Sequence, residues 1–142
     1  MNSIPRQLIL FGSPGTGKSY HIVDKILPKL GIKGDKSPED SPNVTRVVFH
    51  PEYSYGDFVG KLMPLTKDRQ VEYKFYAGHF MQALARAYQN ILKADSMREA
   101  DNVALVIEEI NRGNSAAIFG TAFQLLDRSD RVLGNGWSEY PV

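Results

Sequence analysis

The hydrophobic positions of this chain fall into short apolar runs and longer stretches with helical spacing, a combination typical of α/β folds. Three apolar runs predict strands over about 7–11, 44–50 and 103–107. The last run, V-A-L-V-I, is uninterrupted, as expected for a parallel strand that is buried on both faces. The pattern therefore predicts a parallel sheet with helices packed against it.

Helical spacing of apolar residues predicts helices over about 17–27 and 78–94, and a third that begins at Asn114 or Ser115, either of which can cap it. Pro28 should end or kink the first of these, because its ring cannot follow the α-helical ladder. The first helix comes directly after a glycine-rich turn, and that order of elements matters for the chemistry below.

The segments between these elements have the composition of surface structure. Residues 31–43 carry glycine, proline and mixed charge without periodicity, which predicts a loop. Val71 to Tyr76 alternates apolar and charged residues and predicts one arm of a surface β-hairpin, while Pro64 is expected to close a short apolar segment before it. The tail, residues 127–142, is polar and turn-rich.

Composition limits the functional classes. The chain has 142 residues, 42% of them hydrophobic, which is enough for one domain with a core. Its 17 basic and 16 acidic residues give a net charge of +1, so no broad nucleic-acid or membrane surface is indicated. Cysteine is absent, which excludes disulfides and thiolate metal sites. The N-terminal apolar run is too short for a signal sequence or membrane span, and a cytoplasmic protein is expected.

The strongest motif lies between Phe11 and Tyr20, F-G-S-P-G-T-G-K-S-Y, which matches the P-loop (Walker A) pattern. Glycines allow a tight turn whose backbone N–H groups form a nest for a phosphate. Lys18 would place its charge on the β- and γ-phosphates, and the Ser19 hydroxyl would ligate Mg²⁺. The predicted nucleotide-binding residues are Ser13, Pro14, Gly15, Thr16, Gly17, Lys18, Ser19 and Tyr20.

A second candidate group follows the uninterrupted apolar run, where Glu108 and Glu109 end the predicted strand. Ligands of open parallel sheets bind beyond the carboxyl ends of the strands, so the P-loop and this pair are expected to meet at one site. There Glu108 would hold Mg²⁺ and Glu109, with Lys18, would carry catalysis, the glutamate by polarising the attacking water. The alternative is an ordinary surface carboxylate pair at the start of a loop.

Two further stretches narrow the interpretation to a family. Val103 to Gly113, V-A-L-V-I-E-E-I-N-R-G, resembles the D-E-I-N-R-A signature of AAA+ ATPases in the clade of MoxR-type chaperones, midasin, dynein and McrB. Phe49 to Phe58, F-H-P-E-Y-S-Y-G-D-F, is similar to a block of the McrB group, the motor subunits of modification-dependent restriction systems. Lys74 to Phe80 and Asn114 to Gly120 fit the same group.

That resemblance implies a three-layer AAA+ core and a Mg²⁺-dependent NTPase that uses ATP or GTP. It also implies a hexameric ring, a nuclease partner of the McrC type, and DNA contacted through other domains or the ring pore, with no membrane. Asn111 and Arg112 would lie near the nucleotide edge as sensor or interface residues, although Arg112 is equally well explained as a plain surface arginine.

The chain departs from the family pattern in two respects. Glu108 stands where the family has aspartate, one methylene shorter. The pattern also continues with a sensor strand, arginine fingers and a helical lid, none of which is expected within residues 1–142. The predicted domain is therefore a partial AAA+ nucleotide-binding domain, incomplete at its C-terminus and a poor enzyme by itself.

Other interpretations stay open at this stage. A MoxR-type AAA+ chaperone shares the Asn-Arg signature but is not expected to carry the Tyr-Ser-Tyr block, and a small P-loop kinase would need lid arginines. The third alternative is a nucleotide-binding assembly module that hydrolyses little of the nucleotide it binds. Tyr53, Tyr55 and Phe58 could stack on DNA bases, but packing in a core or an interface is favoured, and His21 and His79 are treated as ordinary helix residues.

Overall fold

The computed structural model describes residues 7–126. These residues form an α/β structure that divides into two compact units. One unit comprises residues 7–46 and 82–106, and the other comprises residues 47–81 and 107–126. The predicted tail, 127–142, lies outside the described residues.

The predicted first strand is absent, which corrects the sequence interpretation. Residues 8–12 form no strand, and the side chains of Ile9 and Phe11 are 77% and 93% exposed. A strand is stabilised by ladder hydrogen bonds to a neighbour. Among the described residues the sheets contain only four strands, in two pairs, and none of those strands pairs with this run.

The helix after the glycine-rich turn is longer than predicted. It consists of α1 (Lys18–His21), a π-helical segment (Ile22–Ile26) and α2 (Leu27–Lys29). Pro28 has no N–H to donate, and the wider π-helical turn just before it lets the helix continue instead of breaking. The proline therefore perturbs this helix, as predicted, without ending it at Leu27.

The predicted parallel pairing is confirmed for two strands, β1 (Val44–Val48) and β4 (Ala104–Glu108). At their starts the Ala104 N–H donates to the Asn43 carbonyl at 2.8 Å, and past the end of β1 the Phe49 N–H donates to the Glu108 carbonyl at 2.9 Å. Both contacts follow the chain in the same order, so the strands run parallel. Only Val106 of β4 is buried, so the strand is not enclosed on both faces as predicted.

The unit of residues 7–46 and 82–106 contains α4 (His79–Lys93) from residue 82 onward and a 3-10 turn (Pro38–Asp40) in the predicted loop. A polar cluster joins its parts. Asn43 Oδ1 accepts hydrogen bonds from Arg86 Nε at 2.8 Å and from Asn90 Nδ2 at 3.1 Å. Asn90 is buried, and its amide also donates to the Asp101 carbonyl at 3.0 Å.

The unit of residues 47–81 and 107–126 is built around aromatic rings. Phe49 is fully buried and stacks on Tyr53 at a ring-centroid distance of 4.9 Å, with Phe58 and Phe119 at 5.9 and 6.0 Å. Phe58 lies on the short helix α3 (Tyr55–Phe58) and Phe119 on α5 (Ser115–Phe119), with a 3-10 turn (Ile110–Arg112) before α5 and a 3-10 segment (Gly120–Leu126) after it.

The predicted hairpin arm is confirmed, and its partner strand was missed. β2 (Gly60–Lys67) pairs antiparallel with β3 (Gln70–Ala77) through a two-residue turn of Asp68 and Arg69, both at positive φ. Pro64 lies inside β2 opposite Tyr73 and does not close the apolar segment before it. A strand can contain a proline where the missing N–H would face away from the partner strand.

Candidate functional site

The predicted phosphate loop has the backbone that its glycines were expected to provide. Gly15 and Gly17 both have φ of +76°, a region that side-chain-bearing residues rarely adopt. A Cβ atom added to either one would meet nothing within 4 Å, so glycine is required there for its dihedral angle and not for space. At Gly12, by contrast, an added Cβ would lie 3.3 Å from Thr16 Oγ1.

Lys18 closes this loop on itself. Its Nζ donates to the carbonyl oxygens of Gly12 and Ser13, each at 2.9 Å, and the Thr16 hydroxyl donates to the same Ser13 carbonyl at 2.8 Å. These contacts hold the ammonium group against the glycine turn, where its charge can act on an anion bound to the loop.

A cavity of about 360 Å³ opens beside the loop. It is lined by Leu10, Phe11, Gly12, Thr16, Gly17, Lys18 and His21. Three of the predicted binding residues are therefore at its wall. Ser13 is not in the lining, but its carbonyl group accepts a hydrogen bond from Lys18. The lining also lacks the remaining predicted residues, Pro14, Gly15, Ser19 and Tyr20.

His21 is the lining residue that the sequence interpretation treated as ordinary. The sequence did contain a signal, because Lys18 and His21 are three residues apart and therefore lie on one face of a helix. The motif and the first turn of its helix together predict that the side chains of Lys18 and His21 line the same cavity.

The two glutamates lie in the other unit, at and just after the end of β4. Glu108 is the last residue of the strand and is half-buried. Glu109 is exposed and has φ 53° and ψ 38°, the left-handed conformation that costs a residue with a side chain about 1–2 kcal/mol. Its carbonyl accepts a hydrogen bond from the Arg112 N–H at 2.8 Å.

The Asn-Arg signature continues from this bend. Asn111 and Arg112 are exposed on the 3-10 turn, and Gly113 follows in a position where an added Cβ would lie 2.7 Å from Ile118 Cδ1. Asn114 then caps α5, since its Oδ1 accepts a hydrogen bond from the Ala117 N–H at 3.2 Å, which confirms one of the two predicted caps. The close contact at position 113 explains why a glycine stands there. The side chains of Asn111 and Arg112 face solvent.

The three aromatic residues considered for base stacking all pack against other parts of the protein. Tyr53 and Phe58 are buried, and Tyr55 packs over Gly120 at 3.0 Å from the position of an added Cβ. The Tyr53 hydroxyl lies 2.8 Å from His79 Nδ1 and 3.2 Å from the Asp57 carbonyl, and burial raises the pKa of Tyr53 to about 12. The favoured alternative, packing, therefore describes Tyr53 and Phe58.

The Ser54 to Asp57 segment forms a capping box at the start of α3. The Asp57 carboxylate accepts hydrogen bonds from the Ser54 hydroxyl at 2.7 Å and the Ser54 N–H at 3.1 Å, and it forms an ion pair with Lys61 at 2.9 Å. The Ser54 hydroxyl, followed by Lys61, lowers the pKa of Asp57 to about 2. The Tyr-Ser-Tyr block therefore builds a local fold, a role that its sequence alone did not reveal.

Within residues 7–126 no three side chains of histidine, aspartate or glutamate are gathered as a metal-binding group. A Mg²⁺ ion at a phosphate site keeps several waters and takes only one or two protein ligands. The oxygen donors of Ser19 and Glu108 are of the type that Mg²⁺ prefers, so the chemistry of this pair fits such an ion. None of the helices in this range is both long enough and apolar enough to span a membrane.

Comparison with known proteins relates the chain to restriction systems. It is 36% identical over 165 aligned residues to the type II restriction enzyme BsuMI component YdiS of Bacillus subtilis, with the whole chain covered. It is 31% identical over 136 residues to the type IV methyl-directed restriction enzyme EcoKMcrB subunit of Escherichia coli, with 96% covered. The chain spans 42% and 25% of the lengths of these relatives. No family model matches it.

Proposed function

We propose that this chain is the nucleotide-binding part of an AAA+ motor subunit of a McrB-like restriction complex, which binds and hydrolyses ATP or GTP with Mg²⁺. The observation that carries the proposal is the loop itself. Gly15 and Gly17 adopt the left-handed region and the Lys18 ammonium is held against their turn, and Gly17 and Lys18 border a cavity of about 360 Å³. Resemblance to two restriction-enzyme components supports the biological setting.

In this proposal the loop binds the triphosphate. Backbone N–H groups of the loop, to which Pro14 contributes none, would contact the β-phosphate together with the N-terminus of α1. Lys18 exchanges its two carbonyl contacts for the β- and γ-phosphates, a change that needs only rotation of its side chain. His21 and Thr16 form the wall beside the nucleotide.

Magnesium completes the charge balance of the site. Ser19 and Glu108 hold the ion, which neutralises negative charge on the triphosphate when it is bound. Glutamate at position 108 reaches one methylene further than the family's aspartate.

Glu109 is assigned the catalytic role. Its carboxylate orients the attacking water and accepts a proton from it, while Lys18 stabilises charge on the phosphate oxygens. The left-handed backbone at Glu109 is consistent with this role, since strained dihedral angles concentrate at functional sites. Asn111 and Arg112, exposed on the following turn, would contact nucleotide or a neighbouring subunit.

The wider assignment follows the resemblance. The described strands and helices are part of a three-layer AAA+ core whose complete form assembles as a hexameric ring with a McrC-type nuclease subunit, and DNA is engaged through other domains or the pore. Both relatives are named as parts of restriction enzymes, one as a component and the other as a subunit. A MoxR-type chaperone would instead act without a nuclease partner.

Isothermal titration calorimetry with ATP and with GTP, in the presence of Mg²⁺, tests the proposal. We expect saturable binding of at least one nucleotide and its loss in Lys18→Ala. Lys25→Ala is the matched control, because Lys25 is an exposed lysine of the same helix that pairs only with Asp24 at 2.7 Å in the described structure. Unchanged affinity in Lys18→Ala, or equal loss in both variants, would refute the assignment.

A second assay separates the restriction motor from its alternatives. Nucleotide turnover is measured with and without a nuclease subunit of the McrC type. A turnover rate that rises when the nuclease is added supports a McrB-like motor. A turnover rate that the nuclease does not change favours a chaperone. Binding without turnover in either condition favours an assembly module.

A further inference from the structure

The β2–β3 hairpin has one face without a single charged residue. Residues opposite each other in an antiparallel pair point to the same side, and side chains alternate along each strand. Beyond Gly60 and Ala77 at its base, the register places six residues on one face: Leu62, Pro64, Thr66, Val71, Tyr73 and Phe75. All six are exposed, and Leu62 and Tyr73 remain 67% and 71% accessible. An isolated two-stranded hairpin is marginally stable in water, and within residues 7–126 no third strand pairs with this one.

The hydrogen-bond pattern shows which edge of the hairpin can accept another strand. The Gly78 N–H donates to the Val59 carbonyl at 2.9 Å, which marks a hydrogen-bonded pair at the base. Alternation from that pair makes Pro64 and Tyr73 a non-hydrogen-bonded pair, whose backbone groups point away from the hairpin. The missing N–H of Pro64 therefore faces outward, which explains how β2 tolerates a proline and blocks the outer edge of β2.

The outer edge of β3 has no such block. Val71, Tyr73 and Phe75 point their N–H and C=O groups outward from it, and within residues 7–126 no strand pairs there. Every residue of β3 is exposed, and among residues 7–126 no further strand extends the sheet at this edge. The hairpin thus offers one open edge and one closed edge.

We propose that this edge pairs with the same edge of a second copy of the chain, β3 against β3 in antiparallel orientation. The charges on the other face of β3 select this occupant. When Tyr73 pairs with the partner's Tyr73, Glu72 lies opposite the partner's Lys74 and Lys74 opposite the partner's Glu72, while Val71 lies opposite the partner's Phe75. Opposite charges and aromatic–aliphatic pairs across strands are both stabilising.

The two neighbouring registers are disfavoured by the same charges. A shift that keeps the hydrogen bonds moves the two-fold axis by one residue along each strand. It then places Glu72 opposite the partner's Glu72, or Lys74 opposite the partner's Lys74, and like charges directly opposite are destabilising. The paired register forms a four-stranded sheet from two ribbons, which is large enough for independent stability. One strand edge buries less than a standard interface of about 1,200 Å², so the dimer is weak and depends on concentration.

Sedimentation equilibrium over a range of concentrations tests the proposal. We expect Lys74→Glu, which puts like charges opposite each other twice, to raise the dimer dissociation constant at least about tenfold. The charge swap Glu72→Lys with Lys74→Glu restores the opposite pairs and should return the constant to within about threefold of the wild-type value. Lys67→Glu makes the same charge change on the blocked strand and should leave dimerisation unchanged.

Crosslinking tests the register separately, because the chain contains no cysteine. Chains carrying Glu72→Cys and chains carrying Lys74→Cys are mixed and oxidised. The proposal predicts a disulfide-linked dimer in the mixture and much less in either variant alone. A monomer at every concentration, a swap variant that fails to recover, or equal crosslinking in all three samples would overturn it. Backbone amides of Val71, Tyr73 and Phe75 that are protected in a monomer would also overturn it, since the edge would then be covered within one chain.

Discussion

The backbone at Glu109 yields a prediction that separates stability from catalysis. Its φ of 53° and ψ of 38° lie in the left-handed region, which costs a residue with a Cβ atom about 1–2 kcal/mol. Glycine adopts these angles without that cost but loses about 0.5–1 kcal/mol more backbone entropy on folding than alanine does. Glu109→Gly should therefore be more stable than Glu109→Ala by about 0.5–1 kcal/mol.

Alanine is the correct reference for this comparison. Both variants lack the carboxylate, and the Glu109 side chain is exposed, so its removal costs little packing in either case. The only designed difference is a Cβ atom at a position with positive φ. Asparagine tolerates the left-handed region better than alanine, so Glu109→Asn should fall between the two.

Thermal and urea unfolding provide the assay. For a chain of this size the difference between glycine and alanine corresponds to a rise of about 2–3 °C in Tm. All three variants should lose nucleotide hydrolysis, because none has the carboxylate that the proposed mechanism uses. If Glu109→Gly is less stable than Glu109→Ala, residue 109 does not occupy the left-handed region in solution and the strain assigned to it is wrong.

Three further predictions concern hydrogen bonds and packing elsewhere in the two units. Asp57→Asn should lower the free energy of unfolding by about 1 kcal/mol at pH 7, as removal of a cap does. Because the folded pKa of Asp57 is lowered to about 2, its contribution is present above the ordinary carboxyl pKa and should fade as the pH falls from about 4 towards 2 in urea titrations. Asn90→Ala should cost about 1–3 kcal/mol in the same titrations, because it leaves the Asn43 and Asp101 acceptors short of a buried donor. Gly78→Ala should sharply reduce the folded yield, since its Cβ would lie 2.4 Å from the Phe58 carbonyl oxygen, whereas Gly31→Ala, with open space around it, should cost only its backbone strain.

Much of the local structure followed from the sequence because it depends on nearby residues. The P-loop spacing predicted a glycine turn with a lysine beside it, and the cap at Asn114 was one of two named candidates. The apolar run before Glu108 gave a strand with bounds one residue from those observed. These features are set by dihedral preferences and short-range hydrogen bonds, which a local pattern reports well.

Most of the failures involve partners that are distant along the chain. Residues 7–11 have the composition of a strand, but a strand needs a neighbour to pair with. Pro64 suggested an end to its segment, and only the register showed its N–H position facing outward. The contact between Tyr53 and His79 joins residues 26 apart, so no periodicity could reveal it.

The central claim is that the phosphate loop and the glutamates at the end of β4 serve one nucleotide and its metal. The most direct measurement is nucleotide affinity with Mg²⁺ and with EDTA, in the wild-type chain and in Glu108→Gln. We predict that Mg²⁺ tightens binding to the wild-type chain, and that Glu108→Gln loses most of this gain while keeping its affinity in EDTA. A Mg²⁺ gain in Glu108→Gln equal to that of the wild-type chain would contradict the claim, because Glu108 would then lie outside the site that Lys18 serves.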